Sequence, residues 1–283
     1  MAASKNNMFR KLLYTAVSIS GAVKQTWHAR KILVNPIETF KFFFISPFRK
    51  LEQASLFRFQ EMRLYARSSD WYAVDEVILR GEYKEVLSIL NGMTRPLVVD
   101  LGANIGTFSM QVFLINCNAI IHAVEPSLAT YQILEKNRKI NPSFNWYAHQ
   151  YALWNHDGTI GFEENTQAST GSHLGNSAQS VYVPSIRLKT LVERFIDRPI
   201  DLIKMDIEGA EETVLFDSLD ILSNTKTLIL EIHPHRCNET KIRRLLHNIY
   251  PYVYEISGRL SSKPLLFASQ TDIALKQAKK LVV

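Results

Sequence analysis

Carboxylates at the ends of apolar runs are the residues of this sequence with the most chemistry to offer. The first stands in Val98-Val99-Asp100-Leu101-Gly102-Ala103-Asn104-Ile105-Gly106-Thr107-Phe108, which reads as a buried strand running into a glycine turn and then a helix. Glycines there let backbone approach a ligand closely, and the first turn of the helix offers unsatisfied N–H groups. Dinucleotide enzymes and plain structural turns share such a segment. Asp100 separates them. A carboxylate facing the turn repels a pyrophosphate but suits the ammonium of a methionine moiety and the nearby sulfonium; the alternative role is helix capping. Gly102, Ala103, Asn104 and Gly106 complete the expected cofactor turn, with Asn104 adding a polar contact.

Glu125, in Ile121-His122-Ala123-Val124-Glu125-Pro126, ends the next apolar run about 20 residues on, where an acidic side chain accepts both hydrogen bonds of a ribose diol. That selects a nucleoside ligand. Asp100 and Glu125 together favour S-adenosylmethionine (SAM) over a nicotinamide dinucleotide. His122 is read as structural.

A third run, Asp201-Leu202-Ile203-Lys204-Met205-Asp206-Ile207-Glu208-Gly209-Ala210-Glu211, delivers Asp206 to the C-terminal end of a buried strand, where parallel α/β sheets hold their ligands. Glu208 and Glu211 follow around the next helix N-terminus, where acidic residues also complement the dipole. Leu228-Ile229-Leu230-Glu231-Ile232-His233-Pro234 puts Glu231 and His233 on one face by the two-residue strand period. Asp206, Glu208, Glu231 and His233 form the candidate catalytic group. His233 could act as general base on an acceptor hydroxyl, the Asp/Glu/His set could bind a divalent cation that lowers that hydroxyl's pKa, or the group could be a structural hydrogen-bond network. The spacing is not a metal motif, and no metal is assigned. His173 and His235 are weaker candidates for substrate contact.

Only a parallel sheet brings these strand ends to one edge. After Pro96, short β-rich runs alternate with helical ones, the signature of repeated βαβ units. Strands are expected at 97–100, 119–125, 145–153, 200–206 and 227–233, and helices at 106–115, 128–140, 210–222 and 239–249. Residues 159–162 and 181–183 read as additional strands joined by a Gly/Ser/Asn-rich loop, of which 164–180 is expected to help choose the substrate. Residues 252–256 and 265–268 read as an antiparallel pair closing the sheet edge. The expected fold class is α/β: the Rossmann-like class I methyltransferase fold, a mostly parallel seven-stranded sheet with a reversed C-terminal hairpin, plus an N-terminal helical extension. The lead-in, 51–92, reads as helices on the apolar spacing of Val74, Val77, Ile78, Val86, Leu87 and Leu90.

The chain of 283 residues, 46% hydrophobic, suits one large domain, 71–283, behind a basic extension, 1–70. Its net charge of +6 is uneven: residues 1–67 hold 12 Lys/Arg against 3 Asp/Glu, or +9, and the rest carries −3. Nucleic acid is therefore not expected as a partner, since an enzyme acting on it is more often basic around its catalytic domain. The extension interleaves Lys/Arg with apolar residues, as in Phe40-Lys41-Phe42-Phe43-Phe44-Ile45. It reads as packing against the main domain or a second subunit of a homo-oligomer, or as an interfacial anchor at the inner face of an anionic membrane. Cys117 and Cys237 encode neither a disulfide framework nor a zinc site, and a reducing, cytoplasmic compartment is expected. No apolar run of membrane-spanning length and no cleavable leader is read.

Asp100-Leu101-Gly102-Ala103-Asn104-Ile105-Gly106, Glu125-Pro126, Ala152-Leu153 followed by Asp157-Gly158, Lys204-Met205-Asp206-Ile207-Glu208-Gly209-Ala210-Glu211 and Glu231-Ile232-His233-Pro234 stand in the order and approximate spacing of the FkbM methyltransferases, and the chain resembles that family over about residues 75–270. The Lys-x-Asp-x-Glu-Gly-Ala-Glu segment is the most diagnostic. The resemblance implies a class I fold, SAM as methyl donor and an oxygen acceptor, often a hydroxyl of a sugar, glycolipid or secondary metabolite. It also places Pro126, Ala152 and Leu153 with the cofactor. Trp154-Asn155-His156 departs from the smaller polar residues common there, which leaves the adenine-side contacts open. The competing readings are a nucleotide-dependent oxidoreductase, disfavoured by Asp100 and the missing third glycine, and a noncatalytic membrane-tethered binding module.

Overall fold

The computed structural model describes residues 54–164, 171–175, 177, 180–256, 263–273, 275 and 278–280. The chain divides into two compact units, Met1–Trp71 and Tyr72–Val283. Most of the basic extension lies outside the described residues.

In the first unit, β1 (Ser55–Phe59) and β2 (Met62–Ala66) form an antiparallel hairpin in which Phe59 faces Met62. This corrects the helical reading of the segment before residue 70. Phe57 and Phe59, then Met62, Leu64 and Ala66, are buried at every second position, which is the period of a strand. Gln60 turns the corner with a left-handed φ of 52°.

The second unit begins with helical turns. Val74–Leu79 is wound as a π-helix, and Lys84–Leu87 and Ser88–Leu90 follow. All six apolar positions that define the expected spacing there are buried. Next come β3 (Leu97–Leu101), α1 (Thr107–Ile115), β4 (Ile120–Val124), α2 (Leu128–Ile140) and β5 (Asn145–His149). A branch follows: β6 (Ala152–Leu153), β7 (Gly158–Glu163), β8 (His173–Leu174), β9 (Val181–Ile186) and α3 (Leu188–Phe195). The chain then returns through β10 (Leu202–Met205), α4 (Glu211–Asp217), α5 (Leu219–Ser223), β11 (Thr227–Glu231) and α6 (Glu239–Ile249). It ends in β12 (Tyr252–Ile256), β13 (Leu265–Ser269) and β14 (Ala278–Lys280).

The main sheet has the order β14-β12-β13-β11-β10-β3-β4-β5. The five strands from β11 to β5 are parallel, whereas β13 and β12 are reversed. These are the seven expected strands. β14 adds an eighth, antiparallel to β12. Because the chain runs β3, β4, β5 and then crosses back to β10, the C-terminal ends of β3 and β10 meet at a switch point, where α/β sheets leave a crevice.

Caps explain why two helices begin where they do. Ser127 Oγ accepts the Thr130 N–H at the start of α2, and Asn238 Oδ1 accepts the Lys241 N–H at the start of α6. Val99, Ile203, Leu228 and Leu230 of the sheet pack in one core with Val214, Leu215, Ile242 and Leu246 of α4 and α6. Each such side chain contributes about 1.5 to 3 kcal/mol on burial.

Two expected elements are divided. Residues 145–153 do not form one strand: β5 stays in the main sheet, and β6 joins a four-stranded sheet of order β6-β9-β7-β8. Residues 210–222 break at Ser218 into α4 and α5, beside Asp217, which Arg187 grips through two hydrogen bonds of 2.9 Å. α3 had no counterpart in the expected elements. Among the described residues, no helix is long and apolar enough to cross a membrane.

Candidate active site

The ends of β3, β4 and β10 open on a cavity. Its lining includes Gly102, Ala103, Asn104, Glu125 and Pro126, with Ala152 and Leu153 contributed by β6. These strand ends are bonded to one another. The Gly102 and Ala103 N–H groups donate to Val124 O at 3.0 and 2.9 Å, and the Asp206 N–H donates to Leu101 O at 3.1 Å. Only glycine fits at 102: φ is +75°, and a Cβ there would lie 1.8 Å from the carbonyl oxygen of Asp206. Asn104 is also left-handed, with φ 51°, a conformation that Asn tolerates better than most side chains.

Glu125 holds the turn from below. Its Oε2 accepts the Asn104 N–H and its Oε1 the Ser127 N–H, each at 3.0 Å. Burial pushes its carboxyl up to about 7 even against those two donors.

Asp100 and Gly106 stand elsewhere than expected. Asp100 is fully buried beneath the wall, where it accepts a 2.7 Å hydrogen bond from Ser109 Oγ and lies 3.5 Å from Lys204 Nζ. Neither residue is part of the cavity lining. The ammonium facing Asp100 is thus the protein's own. Gly106 lets α1 pack closely, since a Cβ there would lie 2.4 Å from the Trp146 ring.

Lys204 is a residue of the site that the sequence reading did not single out, although it opens the most diagnostic motif. It lines the cavity from an otherwise apolar strand and is 4% exposed. Its Nζ donates to Gly102 O at 2.8 Å and lies 3.7 Å from Asp206. Burial opposes the ammonium, but Asp206, Asp100, Glu231 and Glu125 outweigh it and hold the lysine above its ordinary range.

The acceptor side gathers the catalytic candidates in two ranks. Asp206 and Glu208 line the cavity; Glu231 and His233 lie behind them, 5% and 2% exposed. His233 Nδ1 is 2.8 Å from Glu211 Oε1, and Nε2 is 2.9 Å from Glu208, 3.8 Å from Asp206 and 3.9 Å from Glu231. The Glu208 approach is close but not aligned as a hydrogen bond, leaving Nε2 without one. Burial disfavours the imidazolium, yet Glu208, Glu211 and Asp206 raise His233 to about 10. A histidine so charged has no lone pair for an incoming proton, which weighs against its role as general base.

Burial also works to raise Glu208, but His233, Lys263 and the Gly171 N–H prevail and hold it at about 2. Glu208 has a left-handed φ of 52°, and Glu211 accepts the N–H groups of Ile207 and Gly209 at 3.0 to 3.1 Å, so the loop after β10 folds around the Glu211 carboxylate. Lys263, 3.3 Å from Glu231 and 3.4 Å from Glu208, is a further member with no motif signal. Glu76, Val77 and Tyr83 also line the cavity. His173 pairs instead with Glu163 at 3.5 Å, and His235 is exposed.

Parallel strands with a reversed pair at one edge, and a glycine cradle at the switch point, define a class I methyltransferase. The methyltransferase FkbM domain matches residues 100–256, more than half of the sequence, and the chain belongs to that family. It is 30% identical over 156 residues to the hexuronic acid methyltransferase AglP of Haloferax volcanii, a match covering 55% of this chain and 64% of that protein. The chain therefore spans less than two thirds of AglP. It is 28% identical over 184 residues to the methyltransferase sdnD of Sordaria araneosa, covering 51% of this chain and 71% of that one. Among solved structures, the METTL16 methyltransferase domain superposes with a TM-score of 0.46 at 12% identity, covering 69% and 68% of the two chains. M. jannaschii TYW2 in complex with AdoMet superposes with a TM-score of 0.44 at 11% identity, covering 77% of this chain and 85% of that one.

Family membership implies SAM as the cofactor. The cavity suits it chemically: Glu125 supplies an acidic acceptor, Gly102 keeps the turn open to backbone contact, and Ala152 and Leu153 give an apolar flank.

Proposed function

We propose that this protein transfers a methyl group from S-adenosylmethionine to a hydroxyl of a sugar, glycolipid or other small metabolite. The observation that carries the reading is one cavity bounded on one side by the glycine turn and Glu125, and on the other by Asp206 and Glu208. When bound, SAM supplies an electrophilic methyl on a positively charged sulfonium. Glu125 accepts hydrogen bonds from the ribose hydroxyls, and the 102–104 backbone and the apolar pair Ala152 and Leu153 fix its register. Asp206 and Glu208 present carboxylate oxygens where a hydroxyl must come, so they orient it by accepting its hydrogen bond. Lys204 keeps Asp206 in place from behind. The rate advantage of such a site is mainly alignment of donor and acceptor. His233 is a positioning residue here, clamped between the carboxylates. That AglP is a hexuronic acid methyltransferase supports a sugar as acceptor.

Calorimetry with SAM, S-adenosylhomocysteine and NADH, followed by a methylation screen on sugars, glycolipids and small metabolites, tests the reading. Binding of the two adenosyl ligands and methyl ether formation are expected. Binding of NADH alone, or methylation confined to nitrogen, overturns it.

A further inference from the structure

His233 is 2% exposed, and its Nε2 has no hydrogen-bond partner although three carboxylates surround it. Asp206 Oδ1, 3.8 Å away, is likewise buried and without a hydrogen bond. Two opposed polar atoms left in this state are costly unless something binds between them. We propose that His233 Nε2, Asp206, Glu208 and Glu231 hold a divalent metal cation at the acceptor end of the cavity. This rests on the methyl-transfer reading and deepens it, because a cation against Asp206 and Glu208 stands where the acceptor oxygen is expected and makes a ligated hydroxyl more acidic.

Three features agree with this occupant. The first is how the histidine is held. Its Nδ1 is fixed by Glu211 at 2.8 Å, which turns the other nitrogen toward the carboxylates, as the partner carboxylate of a metal-bound histidine does. The second is spacing. Donor atoms about 2.1 Å from one ion lie roughly 3 Å apart when adjacent and roughly 4 Å apart when opposite. The separations from Nε2 are 2.9, 3.8 and 3.9 Å, and His233 and Asp206 belong, together with Glu211 rather than Glu208 or Glu231, to a group whose ligand atoms all lie within 4.8 Å of one another.

The third is charge. Asp206, Glu208, Glu211 and Glu231 meet the ammonium groups of Lys204 and Lys263, so a cation that displaces the proton from His233 Nε2 still meets a surplus of negative charge. A dication offsets it. One imidazole among carboxylate oxygens suits manganese better than a thiolate-seeking ion. Linear spacing hides the set because its members gather at the ends of two different strands, β10 and β11.

The test titrates Mn²⁺ into the EDTA-treated full chain and follows loss of the free-ion electron paramagnetic resonance signal. One Mn²⁺ per chain is expected, with affinity at least tenfold weaker in Asp206→Asn and in Glu231→Gln. A signal unchanged to millimolar Mn²⁺, or binding that neither variant alters, overturns the site. SAM affinity measured on the same samples separates the two readings. Intact SAM binding without Mn²⁺ binding removes only the cation, whereas Mn²⁺ binding without SAM binding removes only the cofactor assignment.

Discussion

Glu211 Oε1 lies 2.8 Å from His233 Nδ1 and ties the first turn of α4 to the segment that follows β11. The same carboxylate also accepts two backbone N–H groups and stands 3.0 Å from Cys237 Sγ. Glu211→Ala therefore orphans several buried donors at once. A loss of about 3 kcal/mol or more in urea unfolding is expected, as for other buried pairs broken on one side. The half-buried neighbour Glu212, whose partners are the Asn238 N–H and the surface Lys241, replaced in the same way, should change stability by about 1 kcal/mol or less. Equal effects of the two substitutions would refute the central place given to Glu211.

Gly102→Ala adds a Cβ that collides with backbone, so no rotamer change can relieve it. Loss of SAM binding, and of the folded domain or much of its thermal stability, is expected. Gly92 also has a positive φ, +78°, but open space around its Cβ position. There, alanine should cost only about 1 kcal/mol of backbone strain. Circular dichroism melts and SAM calorimetry on both variants make the comparison; a Gly102→Ala protein that binds SAM normally contradicts the cradle.

Glu125 gives the site a pH dependence. Its folded pKa of about 7 lies above the ordinary carboxylate value, so its contribution to the stability of the ligand-free fold is full in acid and is lost as pH rises through about 7. The ribose diol donates to the charged carboxylate, so SAM affinity should rise over the same interval while binding releases protons. Calorimetry between about pH 5.5 and 8.5 should show this slope in the wild type and a flatter one in Glu125→Gln. Identical slopes remove Glu125 from the ribose contact.

Lys204 and Asp100 should be energetically coupled. Lys204→Met leaves the fully buried Asp100 without its cation, and Asp100→Asn leaves the ammonium with one carboxylate fewer. Each single change should destabilise by about 3 to 5 kcal/mol, the range for a buried pair broken on one side. The double variant should lose at least about 1 kcal/mol less than the sum. Strict additivity in denaturant unfolding would mean that the two charges do not interact.

Where local signals are strong, sequence and structure coincide. The limits of α2 and α6 were legible because Ser127 and Asn238 cap them, and the parallel strands because apolar runs end in Asp206 and Glu231. The hairpin at residues 55–66 was missed because helical spacing farther along, from Val74, was extended back over residues whose burial alternates by two. The place of Asp100 beneath the wall is not legible in the sequence because every residue of β3 is buried, so alternation carries no information about which way its carboxylate points. Lys204 was overlooked for a related reason: a buried lysine becomes intelligible only when the carboxylates around it, drawn from different strands, are known.

The sheet order has a consequence for the birth of the molecule. β3 pairs directly with β10, so Leu97 and Asp201, 104 positions apart, must meet before the centre of the sheet is complete. At the usual pace of translation, roughly 5 to 20 residues per second, the β10 side of β3 goes unpaired for about 5 to 20 s after it leaves the ribosome. Throughout that interval an apolar strand edge is open to any neighbouring chain. Sluggish or crowded synthesis of this protein should therefore yield aggregates seeded by its N-terminal half, and trigger-type holding chaperones should matter more to its yield than to that of a protein whose central strands are neighbours in sequence.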